Sequence, residues 1–253
     1  MSFSLPVRRS LLCFLLLFLT GCSIKTPYMN LGQWPVAKKA VYYHEASPYR
    51  IGLLPLIDQR PIHEHQGKQP RGLFLLLWNR RVGDYYTGDH VFGGEVASRM
   101  TERLTEYLRS ANVFTEIIHV VPPQSFDASN PSAVSNLGQS QVVDYLLAGE
   151  IQHFFGSQSQ HTSIFLLPLY FINTFGWQDS KSLPWGKTAV HFTLYDARSG
   201  DLVWRRLIEI DRTLPKDTDA MSEAALESFT DAAGILATEL RNLPLQPATP
   251  STQ

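Results

Sequence analysis

Residues 188–210 hold two alternating runs separated by a turn dipeptide, and this pattern constrains the fold more than any other feature. In Thr188–Tyr195, Val190, Phe192 and Leu194 alternate with other positions. In Leu202–Ile210, Leu202, Trp204, Ile208 and Ile210 share a face, interrupted by Arg206. A period of two places alternate side chains on one side of a strand. Ser199-Gly200 lies between the runs, and glycine supplies the backbone freedom of a tight turn. The stretch predicts an antiparallel hairpin with one buried face, which other elements must cover, because an isolated hairpin is marginal in water.

Two helices are available to cover it. Across Glu95–Ala111, Val96, Met100, Leu104 and Leu108 recur every four residues, widened by Tyr107 and Ala111. Residues 220–241 place Leu226, Phe229, Ala233, Leu236 and Leu240 on one side. Further strands are expected at Arg50–Ile57, closed by Asp58-Gln59-Arg60-Pro61, at Leu73–Trp78, at Val113–Val121 and at Tyr145–Phe155, with Gly149 a point of close approach. Asn79–Gly94 reads as a loop, and a short helix is expected after Asn130-Pro131. Of 253 residues 44% are hydrophobic and 18% charged, enough apolar mass for a sizeable core. The order predicts an α+β domain over residues 50–241, with a single mixed β-sheet and helices packed on one face.

The amino terminus reads as an address. Arg8 and Arg9 precede the apolar run Leu11–Leu19, which is shorter than the roughly 20 residues of a membrane-spanning helix. Leu19-Thr20-Gly21-Cys22 then resembles the bacterial lipobox. That resemblance implies removal of residues 1–21, attachment of acyl chains such as palmitate at Cys22, and the membrane as a partner through that anchor. Ser23 in place of Asp implies the outer membrane. Residues 22–49 are expected to form a flexible tether, and residues 242–253, with Pro244, Pro247 and Pro250, a disordered tail. Cys13 leaves with the signal and Cys22 is alkylated, so disulfides, a cysteine nucleophile and thiolate metal sites are excluded. A formal charge of −1 lacks the basic footprint that nucleic acid requires.

Three segments carry a wider resemblance: Gly52-Leu53-Leu54-Pro55-Leu56-Ile57-Asp58-Gln59-Arg60-Pro61, Asp144-Tyr145-Leu146-Leu147-Ala148-Gly149-Glu150-Ile151, and Leu194-Tyr195-Asp196-Ala197-Arg198-Ser199-Gly200-Asp201-Leu202-Val203-Trp204. They look like a poorly characterised group of bacterial envelope lipoproteins. The body resembles the small α/β domain of curli-secretion channel lipoproteins, of lipoprotein activators of peptidoglycan synthases, and of the Tol-system propeller protein's amino-terminal domain. The resemblance implies a periplasmic, non-enzymatic role in assembly, transport or regulation, with an envelope protein as partner. Pore formation does not carry over, because the chain shows no obvious pair of long amphipathic hairpins of the kind that build the curli barrel.

Candidate sites are few. Thr162–Gln178 has no charged residue and holds Phe165, Tyr170, Phe171, Phe175 and Trp177. It fits either a core strand or an exposed contact for a protein partner, a lipid or a membrane surface. His63-Glu64-His65 in an extended segment would aim two imidazoles the same way, as metal ligands require, with His44 and His90 as possible third ligands; a solvated loop is the simpler reading. Asp58 and Arg60 read as turn chemistry with a surface salt bridge. His153 and His191 read as polar strand positions, and Glu150 lacks a second carboxylate for acid–base work. Trp78, Arg80, Arg81, Tyr85 and Tyr86 could form an aromatic–basic loop for glycan or protein. No catalytic signature is present, and no cofactor or metal is expected. The reading is a non-catalytic lipid-anchored accessory subunit of an envelope complex. A carrier for lipid or another apolar ligand and a cell-wall hydrolase are its alternatives.

Overall fold

The computed structural model describes residues 41–68, 71–75, 78–162, 179–215 and 221–245. In chain order the elements are β1 (Ser47–Leu53), β2 (Ile57–Asp58), α1 (Ile62–Gln66), β3 (Arg71–Leu75), β4 (Trp78–Tyr86), α2 (Asp89–Phe92), α3 (Val96–Ser110), β5 (Phe114–His119), α4 (Pro131–Gln141), β6 (Tyr145–Thr162), β7 (Asp179–Lys181), β8 (Trp185–Asp196), β9 (Leu202–Thr213) and α5 (Met221–Asn242). The strands form one mixed sheet, so the α+β expectation holds.

Strand β6 is the spine of that sheet. Its 18 residues span roughly 60 Å at the usual rise per residue. One edge pairs successively with β1 and β2, in parallel, and then with β4, antiparallel. The other edge pairs antiparallel with β8 and then β7. Strand β5 flanks β1, and β9 completes the predicted hairpin with β8.

Alternation along the strands sorts side chains between the two faces. Ile51, Leu53, Leu147, Val190, Phe192 and Leu194 pack against α3 and α5 in the main core. Leu54, Leu146 and Ala197 turn to the other face, where Val134 and Leu137 of α4 close a smaller cluster. The two long helices thus share one face, while α4 covers one end of the opposite face.

The close approach of α5 explains two glycines. A Cβ at Gly156 would overlap the Met221 carbonyl, and one at Gly186 would overlap the Ala224 carbonyl. Beside them Thr188 and Ser228 share a buried hydroxyl–hydroxyl hydrogen bond of 2.7 Å.

A β-bulge at Gln152 shifts the register, pairing Ile151 with Val190 but His153 with Ala189. Strict alternation from Ile151 would drive His153 into the core. The extra residue instead sends Phe154 inward, fully buried, and turns His153 and Phe155 to the opposite face.

Several boundaries differ from the sequence reading. Residues 79–94 are not a loop: they supply most of β4 and all of α2. Strand β6 continues seven residues past Phe155 because β4 and β7 flank its far half. The fold also begins before residue 50. The Tyr43 N–H donates to the Ala111 carbonyl (3.0 Å), and Tyr49 Oη donates to the Leu245 carbonyl (2.9 Å). The Tyr49 ring also meets Tyr145 edge-on. Both ends of the described chain therefore sit at the start of β6.

Candidate functional site at the base of two hairpin arms

At the opposite end of β6 the sheet divides into two hairpin arms. Strands β3 and β4 pair from Arg71↔Val82 to Leu75↔Trp78. The second half of β4 then joins β6, with Gly83↔Gln160 through Tyr86↔Ser157. On the other edge β7 pairs Gln160↔Lys181 and Thr162↔Asp179. Residues 163–178 therefore connect two directly paired positions. Phe165, Tyr170, Phe171, Phe175 and Trp177 lie outside the described residues, as does Cys22.

The base of the β3–β4 arm is closed by local chemistry. Lys68 and Tyr86 exchange backbone hydrogen bonds of 3.1 and 2.9 Å. Gly67, at φ 70, leaves α1 there; a Cβ on it would stand 2.7 Å from the Gly88 nitrogen. The chain can cross at this distance only because both residues are glycine.

Arg60 is the hub beneath that base. Its side chain is only 1% exposed, which overturns the surface salt bridge expected from sequence. The guanidinium donates to Asp58 through Nε and Nη2 (2.9 and 2.6 Å), to Asp89 Oδ1 (2.9 Å) and to the Phe154 carbonyl (3.3 Å). His65 Nδ1 meets Asp89 Oδ2 at 2.9 Å. One cation thus ties β2, α1, α2 and β6 together. Burial opposes ionisation of Asp58, but the hydrogen bonds and charge of Arg60, with His65 adding to them, hold its carboxyl below the ordinary value.

The tripeptide His63-Glu64-His65 is helical rather than extended, so the two imidazoles do not project together as the metal reading needed. Glu64 points inward and is 1% exposed. Its Oε1 accepts from His153 Nδ1 at 2.6 Å and its Oε2 from the Phe154 N–H at 3.1 Å. Among the described residues no group of three or more His, Cys, Asp or Glu side chains is placed to hold a metal.

Beside this pair, on the sheet face that α3 and α5 leave open, lies a cleft of about 600 Å³. Phe155 forms its aromatic wall between Tyr86 (ring centroids 5.3 Å apart) and Trp185 (5.4 Å), both edge-to-face. Lys68 Nζ stands 5.7 Å from the Tyr86 ring centre. Lys187 pairs with Glu209, and that hydrogen bond holds its ammonium above the ordinary value. His63 and His153 complete the polar rim.

The remaining sequence candidates are dispersed. Glu150 stands 4.0 Å from His191, whose ring accepts from Arg205 Nε at 2.9 Å. His44 and His90 join no cluster among the described residues. Of the expected aromatic–basic loop, Trp78, Arg80, Arg81, Tyr85 and Tyr86 fall on β4, and Tyr86 reaches the cleft. Sequence reasoning missed the Glu64–His153 pair and the roles of Phe155, Trp185 and Lys187. An acidic residue between two histidines was the available signal for the first; the bulge that aims the second left none.

Fold and site together define a mixed-sheet α+β domain with two arms at one end. No family model matches the chain, and no curated protein matches it. Solved structures similar to it include a DUF330 protein from Xanthomonas campestris (11% identity, 78% of this chain and 88% of that one, TM-score 0.42). They also include a PelC dodecamer from Paraburkholderia phytofirmans (12%, 78% and 93%, TM-score 0.37) and lipoprotein GNA1162 from Neisseria meningitidis (12%, 77% and 96%, TM-score 0.32). No helix among the described residues is long and apolar enough to cross a membrane.

Proposed function

We propose that this chain is a non-catalytic accessory subunit of a bacterial envelope complex, anchored in the outer membrane by acyl chains on Cys22 and docking a protein partner through residues 162–178. The observation that carries the reading is the pairing of Thr162 with Asp179. It makes an uncharged, aromatic-rich segment the connection between two strands at the end of a long sheet. The neighbouring arm adds a second uncharged run, Leu73-Phe74-Leu75-Leu76-Leu77-Trp78. Apolar sequence gathered at one end suits a docking contact better than a distributed core.

The described chain starts at the opposite end of β6 from the arms. The 19 residue-to-residue steps from Cys22 to Val41 span about 65 Å when extended. A body roughly 60 Å long on such a tether can present its arms well away from the lipid surface.

The test has two parts. Palmitate labelling and fractionation should place the wild-type chain in the outer membrane, with both label and membrane association lost in Cys22→Ser. Deletion of residues 163–178, after a check that the body remains folded, should remove one stoichiometric envelope protein from in-cell crosslinks. A soluble, unlabelled wild-type chain defeats the anchor. An unchanged crosslinking pattern defeats the docking role.

A further inference from the structure

We infer that the cleft at the base of the arms is a binding site for an anionic sugar, with the pyranose ring against the aromatic wall and the carboxylate on Lys68. The proposal goes beyond the docking role and does not depend on it.

The lining has the two parts such a ligand requires. Phe155, buried at the floor, holds Tyr86 and Trp185 edge-on at 5.3 and 5.4 Å, so both rings are fixed by packing before a ligand arrives. Rigid aromatic surface contributes contact at a low entropic cost. Around it stand polar groups on the rim of the cleft. The Lys68 ammonium makes no ion pair among the described residues and stands 5.7 Å from the Tyr86 ring centre. His153 directs Nδ1 to Glu64 (2.6 Å), which fixes the orientation of its ring. His63 and Gln66 add two further exposed polar side chains on the same rim.

The charge balance selects the sign. The acid in the lining, Glu64, is buried and has both oxygens occupied, by His153 and by the Phe154 N–H. Glu209, near the rim, is taken by Lys187. Neither of these two carboxylates is left to compete for Lys68, and an incoming anion meets its ammonium. A charge-assisted hydrogen bond to that ammonium is shorter and stronger than a neutral one. A cleft of about 600 Å³ falls within the range of small-ligand sites and accommodates one or two sugar rings rather than a folded partner.

The experiment titrates the full-length protein in detergent with a hyaluronan tetrasaccharide, which alternates glucuronate with N-acetylglucosamine. Chitotetraose serves as the neutral comparison and citrate as an anion without a ring; indole and amide NMR shifts report binding. The glucuronate oligomer should bind saturably and shift the Trp185 indole. Chitotetraose should bind at least about tenfold more weakly, the scale of one charge-assisted contact. Citrate should leave the indole unmoved. Lys68→Ala, a change at an exposed side chain, should weaken the tetrasaccharide about tenfold, and so should raising the salt concentration. Three results overturn the proposal: no saturable binding, equal binding of the neutral oligomer, or an affinity unchanged in Lys68→Ala.

Discussion

Replacing Arg60 with methionine tests whether the buried cation holds the arm base to the sheet. The substitution keeps the apolar stem but removes the guanidinium. Asp58 and Asp89, whose side chains are 21% and 28% exposed, then face each other unneutralised, and the Phe154 carbonyl loses a donor. Removing one partner of a fully buried ion pair costs about 3–5 kcal/mol. The partial exposure of both carboxylates screens some of that, which puts the expected loss at about 2–4 kcal/mol. In urea, where slopes of about 1–3 kcal/mol/M are usual, the midpoint should fall by about 1–2 M with the slope unchanged. Acid supplies an internal check. Asp58 has a folded value held below its unfolded one, so its contribution is present at neutral pH and is lost as the pH falls through the folded value, below about 4. Arg60→Met removes that depression, so the gap between wild type and variant should narrow from pH 7 to pH 3. A loss under about 1 kcal/mol, or a gap independent of pH, would refute the hub role.

Other substitutions probe the remaining elements. Gly156→Ala sets a methyl against the backbone of α5, and a loss of about 3 kcal/mol with reduced hydrogen-exchange protection in Met221–Leu226 is expected. Phe154→Ala leaves a cavity where the bulge turns the strand inward, and should cost about 3–5 kcal/mol by urea melting. Asn130 caps α4 by accepting from the Ser132 N–H at 3.0 Å, so Asn130→Ala should cost about 1 kcal/mol, read by the same melts.

The parts of the fold legible in the sequence were those set by local periodicity. The four-residue recurrence from Val96 to Leu108 is α3, and the alternation of residues 188–210 is the core of β8–β9. Asn130-Pro131 marked α4, because an Asn cap and a Pro at the first turn act within a few residues. Elements defined by distant partners were not legible. Residues 79–86 have little alternation and become a strand through pairing with β6 and β3, 70 or more residues away in the first case. His63-Glu64-His65 becomes helical with a buried acid because His153 and the Phe154 N–H wait about 90 residues further on. The bulge at Gln152 inverts the face of every later residue in β6, so alternation counted from Ile151 assigns Phe155 to the wrong face. The pairing of Asp58 with Arg60 is local, whereas the second carboxylate on Arg60 comes from Asp89 of α2, 29 residues away.

The central claim is that the uncharged segment between β6 and β7 docks a protein. Photocrosslinking in living cells tests it most directly, with a photoreactive phenylalanine analogue placed at Phe171 or Phe175 and, as a control, at exposed Val142 beyond the far end of α4. Both positions in the segment should give the same discrete adduct with one envelope protein, and Val142 should not. Segment positions that give no protein adduct, or the same adducts as Val142, would contradict the docking claim.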